Sequence, residues 1–223
     1  MTNNKVAYIL GSSRKKKNTY AFAKSLMHSF EKRNFESTVL YSIDNYNRLT
    51  ETFISTIKES ETICILCPLY ADFMPFHLVK VLELLESQKD LSLKGKKLFG
   101  FSQCAFPFYR LNECSISSMA FFVRHTAMHW TGGLMYGGAG MMDCESLDEL
   151  GKKGQKMILA MDLAAEGIIQ SGKVPSQSQE LLQMNIPSFL KRPVMWFINR
   201  NVKKIEKEVG KPIDAQAYRE RGF

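Results

Sequence analysis

Short apolar runs alternate along this chain with stretches whose apolar residues recur at helical spacing. "KVAYIL" (5–10) reads as a buried strand, and "TYAFAKSLMHSFEKR" (19–33) as a helix with Tyr20, Ala23, Leu26, Met27 and Phe30 on one face. "ESTVLYSI" (36–43) is a second strand by its β-branched and aromatic content, and "ETFISTIKES" (51–60) a short helix. "TICILC" (62–67) is a continuous apolar strand, buried on both faces. A loop follows, and Pro75 stands at the first turn of a helix running to about Ser87. "KKLFGFSQ" (96–103) predicts a fourth strand, 113–128 a fourth helix, and "HWTGGLMYGG" (129–138) a fifth strand with a Gly-rich exit. Residues 146–172 predict a long helix broken near Gly151 and Gly154. Five strands, each followed by a helix, imply a doubly wound parallel sheet with helices on both faces. Its crossovers are right-handed.

After about residue 175 the rhythm changes, so 1–175 is expected to form the sheet domain and 176–223 a C-terminal amphipathic helical extension. Leu190, Val194, Ile198, Val202, Ile205 and Val209 form one stripe, with Lys191, Arg192, Arg200, Lys203, Lys204 and Lys207 mostly opposite. The favoured reading is a helix that closes the domain or meets a second copy. The sharper alternative, not favoured, is a basic helix lying on a membrane surface.

Composition narrows the partners. The chain has 223 residues, 45% of them hydrophobic, and a formal net charge of +8. Its basic residues fall in small groups, at 14–17, 94–97, 152–156, 191–192 and 200–207, and match no helix-turn-helix or zinc-finger spacing. Nucleic acid is therefore not expected, whereas an anionic ligand would account for the first group. The opening "MTNNKV" is polar, and the uncharged stretch from Thr126 to Met142 carries His129 and five glycines. Neither a secretory leader nor a membrane span is expected, and a cytoplasmic protein is. Five cysteines fit a reducing compartment. Cys64 and Cys67 form a C-x-x-C inside a strand, where neighbours three apart point to opposite faces, so both are read as buried thiols.

In an open α/β sheet the chemistry gathers beyond the carboxyl ends of the strands, here the loops after strands one, three, four and five. The first loop, "GSSRKKKNT", is neither a Walker A loop nor a G-x-G-x-x-G turn. Its backbone N–H groups, the hydroxyls of Ser12, Ser13 and Thr19, and the Asn18 amide nevertheless converge on a helix start. Orphan donors and the positive end of the helix dipole make that a ready anion site. The plainer alternative is that Asn18 or Thr19 merely caps the helix. Direct ligand contact by all three lysines is not expected.

Taken together, "GSSRKKKNT" and "PLYADFMPFHLVKVLELL" resemble the NAD(P)H-dependent FMN reductase and flavodoxin-like quinone reductase families. Gly11, Ser12, Arg14, Asn18 and Thr19 match the phosphate loop; Pro68, Tyr70, Met74, Pro75 and Leu78 match the second motif. Lys80 falls two places after Leu78, where the familiar pattern has a lysine directly following. The resemblance spans about residues 5–172 and implies a flavodoxin-like fold with FMN as cofactor and NADH or NADPH as co-substrate. It places the phosphate on Ser12, Ser13, Arg14, Asn18 and Thr19. Pro68, Leu69, Tyr70, Ala71 and Met74 would wrap the ring, with Tyr70 stacking or else serving as a rim or core tyrosine. Gln103, Cys104 and Ala105 would lie along its polar edge. Aromatic Phe106, Phe108 and Tyr109 beyond them imply burial against a pocket wall or a second subunit. A homodimer is expected.

No acid–base pair stands out. His77 is read as a packed or helix-surface residue, and His125 and His129 have no evident partner. That suits flavin chemistry, where the cofactor carries the reaction. The spacing of Cys104, Cys114 and Cys144 matches no ferredoxin run, so no iron–sulfur cluster is expected. The preferred function is an FMN-dependent oxidoreductase with a small-molecule acceptor: a quinone, an azo or nitro compound, or free flavin. An electron carrier and a non-enzymatic flavodoxin-like module are the alternatives, and the positive charge argues against the carrier.

Overall fold

The structure is a computed structural model that describes residues 4–88 and 90–183 together with Trp196 and Arg200. The chain divides into two units, Met1–Met184 and Asn185–Phe223. In the second, Trp196 and Arg200 are helical, and the Arg200 guanidinium lies 5.4 Å from the centroid of the exposed Trp196 ring. The other residues of the expected tail helix, Leu190 to Val209, lie outside the described residues.

In the first unit the elements run β1 (Lys5–Leu10), α1 (Asn18–Glu31), β2 (Glu36–Tyr41), α2 (Glu51–Glu59), β3 (Thr62–Pro68) and α3 (Phe76–Ser87). They continue with β4 (Lys97–Cys104), α4 (Glu113–His125), β5 (His129–Gly137), α5 (Gly151–Gln170) and α6 (Ser176–Leu182). The five strands form one parallel sheet in the order β2-β1-β3-β4-β5, which is the flavodoxin-like order.

Strand alternation builds two cores. Val6, Tyr8 and Leu10 of β1 pack with Phe22, Leu26 and Phe30 of α1 and with Met157, Met161 and Ile168 of α5. Ala7 and Ile9, pointing the other way, meet Phe53 and Ile57 of α2, Leu78 and Val81 of α3, and Met119 of α4. Cys64 joins the first core and Cys67 the second, both fully buried, as the strand spacing requires. Burial raises both thiols, Cys67 to about 12, so neither ionises readily.

Arg33, just beyond α1, clamps the first layer: its guanidinium donates to both Asp162 oxygens at 2.8 and 3.2 Å and to Glu166 at 3.4 Å, both acids on α5. The outer edge of β5 is closed by α6. Gln179 donates to Met135 O at 2.9 Å and accepts from Met135 N–H at 2.8 Å, as a neighbouring strand would. Residues 176–182 are thus packed on the sheet of the first unit.

Two boundaries depart from the sequence pattern for local reasons. β2 stops at Tyr41 because Ser42 turns into a short 3-10 segment, where its Oγ donates to Leu10 O at 3.0 Å and meets His77 Nδ1 at 2.7 Å. The helix expected over 146–172 breaks at Gly151 (φ +56°), preceded by a 3-10 turn capped by Ser146 and Glu149, and not at Gly154. Gly154 is required for closeness: a Cβ there would stand 1.7 Å from Leu147 O.

Candidate functional site

The sheet order reverses between β1 and β3, so the loops after them leave side by side from paired Leu10 and Leu66. Gly11 N–H still reaches Leu66 O at 2.8 Å, extending the ladder by one bond. Any side chain at Gly11 would press within 2.7 Å of Cys67 Cβ and 2.8 Å of Leu78 Cδ2. The backbone therefore turns away tightly, against the sheet end.

Next comes a hydroxyl-stabilised turn: Ser12 Oγ accepts from Arg14 N–H at 3.2 Å. Ser13, Arg14, Lys15 and Lys16 are exposed. The lysines splay. Lys15 pairs with Asp44 at 2.6 Å on the β2 side, while Lys17 pairs with Asp143 at 2.7 Å on the β5 side. Lys17 is also the residue that starts α1, with no side-chain cap and no acid in the first turn. The positive end of the helix is left without a carboxylate of its own.

Neither Asn18 nor Thr19 caps this helix. Asn18 Nδ2 donates to Ala139 O at 2.9 Å and to Met142 O at 3.0 Å, and its Oδ1 accepts from Cys144 N–H at 3.2 Å. The amide expected on an anion is committed to the segment after β5. Thr19 Oγ1 accepts from Gln103 Nε2 at 2.9 Å. Gln103 is 4% exposed, and its Oε1 has no partner among the described residues.

After β3, Pro68 and Leu69 continue along the cleft, and Leu69 N–H bonds Gln103 O at 2.7 Å. Tyr70 and Phe73 exchange backbone bonds at 2.8 and 3.1 Å around Ala71 (φ +47°) and Asp72 (φ +61°). Two non-glycine residues in left-handed conformation make this a strained tip. Tyr70 is 43% exposed.

After β4, Cys104 is buried, with its Sγ 3.3 Å from Phe106 O and from Asn112 Nδ2. Burial raises this thiol, more than the two hydrogen bonds lower it. Asn112, wholly buried, also donates to Tyr109 O at 2.8 Å and Tyr136 O at 3.2 Å and accepts from Ser102 Oγ at 2.8 Å, fixing the loop onto β5. Phe106 O accepts from Gly138 N–H at 2.6 Å, and Gly140 would crowd Ala105 if it carried a side chain.

These loops form an open cleft of about 140 Å³. Ser12, Arg14, Asn18, Thr19, Pro68, Leu69, Tyr70, Gln103, Cys104 and Ala105 line it together. Three other residues singled out from the sequence do not. Ser13 is exposed outside it, Ala71 sits on the strained tip, and Met74 is buried in the core beside α3. The sequence reading named no residue of the loop after β5, yet Ala139, Gly140, Met142 and Asp143 form a wall, and Lys17 completes the rim. The available signal was Gly137-Gly138, a reversal at the carboxyl end of the fifth strand, with Gly138 at φ +87°.

Among the described residues, no three His, Cys, Asp or Glu side chains converge to hold a metal ion, and no helix is long and apolar enough to cross a membrane.

No family model matches the chain, and no curated protein matches its sequence. Solved structures do match. An FMN-dependent NADH-azoreductase from Bacillus anthracis str. Ames Ancestor, in complex with FMN, superposes with TM-score 0.52 at 11% identity over 74% of this chain and 99% of that one. The Trp repressor binding protein of Bacillus subtilis gives TM-score 0.49 at 18% identity, over 60% of this chain and 84% of its own. A flavodoxin, WrbA-like protein from Agrobacterium tumefaciens gives 0.48 at 13%, over 56% and 74%. At such identities the likeness concerns the fold, and that fold is flavodoxin-like.

Proposed function

We propose that this chain binds FMN in the cleft and uses it to pass electrons from NADH or NADPH to a small-molecule acceptor. The observation that carries the reading is Gln103. It lines the cleft and is buried, and its Oε1 has no partner among the described residues, beside a helix start that has neither a side-chain cap nor an acid in its first turn. A buried unpaired acceptor costs free energy that a ligand donor would recover. The flavodoxin-like fold, and the FMN carried by the B. anthracis neighbour, support the choice of ligand.

The residues fit the group. The free N–H groups of the first α1 turn, with Arg14 and Lys17, suit a phosphate. Gln103 Oε1 suits a hydroxyl or ring N–H, and Tyr70 with Leu69 and Ala105 offers apolar cover for a flat ring. Bound there, FMN supplies two-electron chemistry between a nicotinamide and an acceptor. The protein's part is to bind, orient and exclude water. Cys104 is no nucleophile in this scheme, since burial outweighs its loop hydrogen bonds and keeps the thiol protonated. Phe106 and Phe108 stay 51% and 43% exposed in the single chain. A second copy covering them is part of the proposal, as is the amphipathic character of the extension beyond the first unit.

Titrating FMN into the purified chain tests the reading. FMN at about a hundredfold its Kd would stabilise the fold by about 2.7 kcal/mol, and NADH or NADPH added anaerobically would bleach the flavin. A chain that gains no stability from FMN refutes flavin binding. A flavin that binds but resists both nucleotides refutes the enzyme and leaves a carrier.

A further inference from the structure

A carboxylate stands at the corner of the cleft where an anion is expected. Asp143 is the only acid among the described residues lining it; it pairs with Lys17 and feels the charge of Arg14. Its Oδ1 is 2.7 Å from Lys17 Nζ. The segment bearing it is not free to withdraw. The carbonyl of Met142 and the N–H of Cys144, on either side of Asp143, are both bonded to Asn18 at 3.0 and 3.2 Å. Farther back, Gly138 N–H is bonded to Phe106 O. A rotation of the exposed side chain would free Lys17, but the held backbone keeps Asp143 beside the corner.

A phosphate entering there meets a lysine already neutralised and a fixed negative charge. Uncapped helix N–H groups and Arg14 attract it; Asp143 repels it. The repulsion grows with the charge of the headgroup and is absent for a ligand that lacks one.

We propose that Asp143 is a specificity-determining residue that limits the charge the cleft accepts, holding Lys17 until a phosphate displaces it and then weakening retention of the dianion. The inference rests on the flavin reading of the cleft. It makes FMN an exchangeable ligand of this chain and narrows the gap in affinity between FMN and riboflavin.

The test compares FMN and riboflavin on the full chain by quenching of flavin fluorescence, at low salt, for wild type, Asp143→Asn, Asp143→Glu and Lys17→Met. Asp143→Asn is expected to tighten FMN about two- to fivefold, the upper part of the range of one exposed charge pair, and to leave riboflavin within about 1.3-fold. Asp143→Glu keeps the charge and stays near wild type, while Lys17→Met weakens FMN alone. High salt erases the Asp143→Asn gain. Unchanged FMN affinity in Asp143→Asn overturns the proposal, and so does an equal shift for both flavins, which would make Asp143 a purely structural residue. A wild-type chain that binds neither flavin, while still folded by its melting curve, overturns the flavin reading itself and this inference with it.

Discussion

Replacing Asn18 by alanine tests the join between the start of α1 and the segment after β5. The amide makes three hydrogen bonds, to Ala139 O, Met142 O and Cys144 N–H, across more than a hundred residues of chain. Each is worth about 0.5–1.5 kcal/mol net in a typical protein. The site is half open to water, so the orphaned groups regain part of their hydration and the lower half of the range governs. Asn18→Ala is therefore expected to cost about 1.5–3 kcal/mol, or about 3–12 °C of melting temperature for a unit of this size. Urea unfolding gives the free energy, and hydrogen exchange at the Cys144 amide shows whether the loss is local.

Asn18→Asp separates two explanations. If Asn18 serves only the helix start, a carboxylate there complements the dipole and is neutral or stabilising. If it serves as the seam, aspartate loses both donor bonds and sets a charge against two carbonyls, so it falls below alanine. An alanine variant within about 0.5 kcal/mol of wild type refutes the seam, because three made bonds cannot sum to so little. An aspartate variant as stable as asparagine refutes it as well.

Two further substitutions probe other joints. Gly154→Ala drives a Cβ to 1.7 Å from Leu147 O and 2.8 Å from its carbonyl carbon. Since both are backbone, the turn and helix must part, and a loss of about 2–4 kcal/mol in urea unfolding is expected; a neutral variant would show that α5 can slide. His77 is buried, and burial lowers its pKa from the ordinary 6.5. The folded state then binds fewer protons than the unfolded one, so the stabilisation is full above pH 6.5 and drains as pH falls through the folded value. His77→Gln is expected to flatten that decline in stability below pH 6.5; an unaltered pH profile would mean that other groups cause it.

What the sequence made legible follows from the range of each interaction. The strands were readable because β1 and β3 bury both faces and so appear as unbroken apolar runs, and α1 because its core face recurs at helical spacing. Five βα units then left little topological freedom. Boundaries failed where a single side chain decided them. Ser42 ends β2 by bonding Leu10 O, and Gly151 with the Ser146–Glu149 box sets where α5 begins. Within the cleft, residues next to the strand ends were predictable, because strand ends fix their place. Met74 was not: its motif position recommended it for the cleft, but packing against α3 draws it into the core. Least legible were the partners of Asn18 and Lys17, since Ala139 and Asp143 arrive from a loop over a hundred residues away and carry no local signature beyond two glycines.

Sheet order and cleft chemistry are separate questions for the same reason. Any chain with the order β2-β1-β3-β4-β5 opens a crevice where β1 and β3 part, whatever its side chains are. What that crevice holds depends on the few groups the loops bring to it. Here those are an uncapped helix start, a buried amide with an idle oxygen, and one lysine already answered by an aspartate. The first two favour a phosphorylated, hydrogen-bonding ligand; the third sets how firmly it stays. A chain meant to carry electrons with a resident flavin would gain nothing from a carboxylate at the phosphate corner. A reductase that releases or exchanges its flavin would, so the ratio of FMN to riboflavin affinity bears on function as well as on binding.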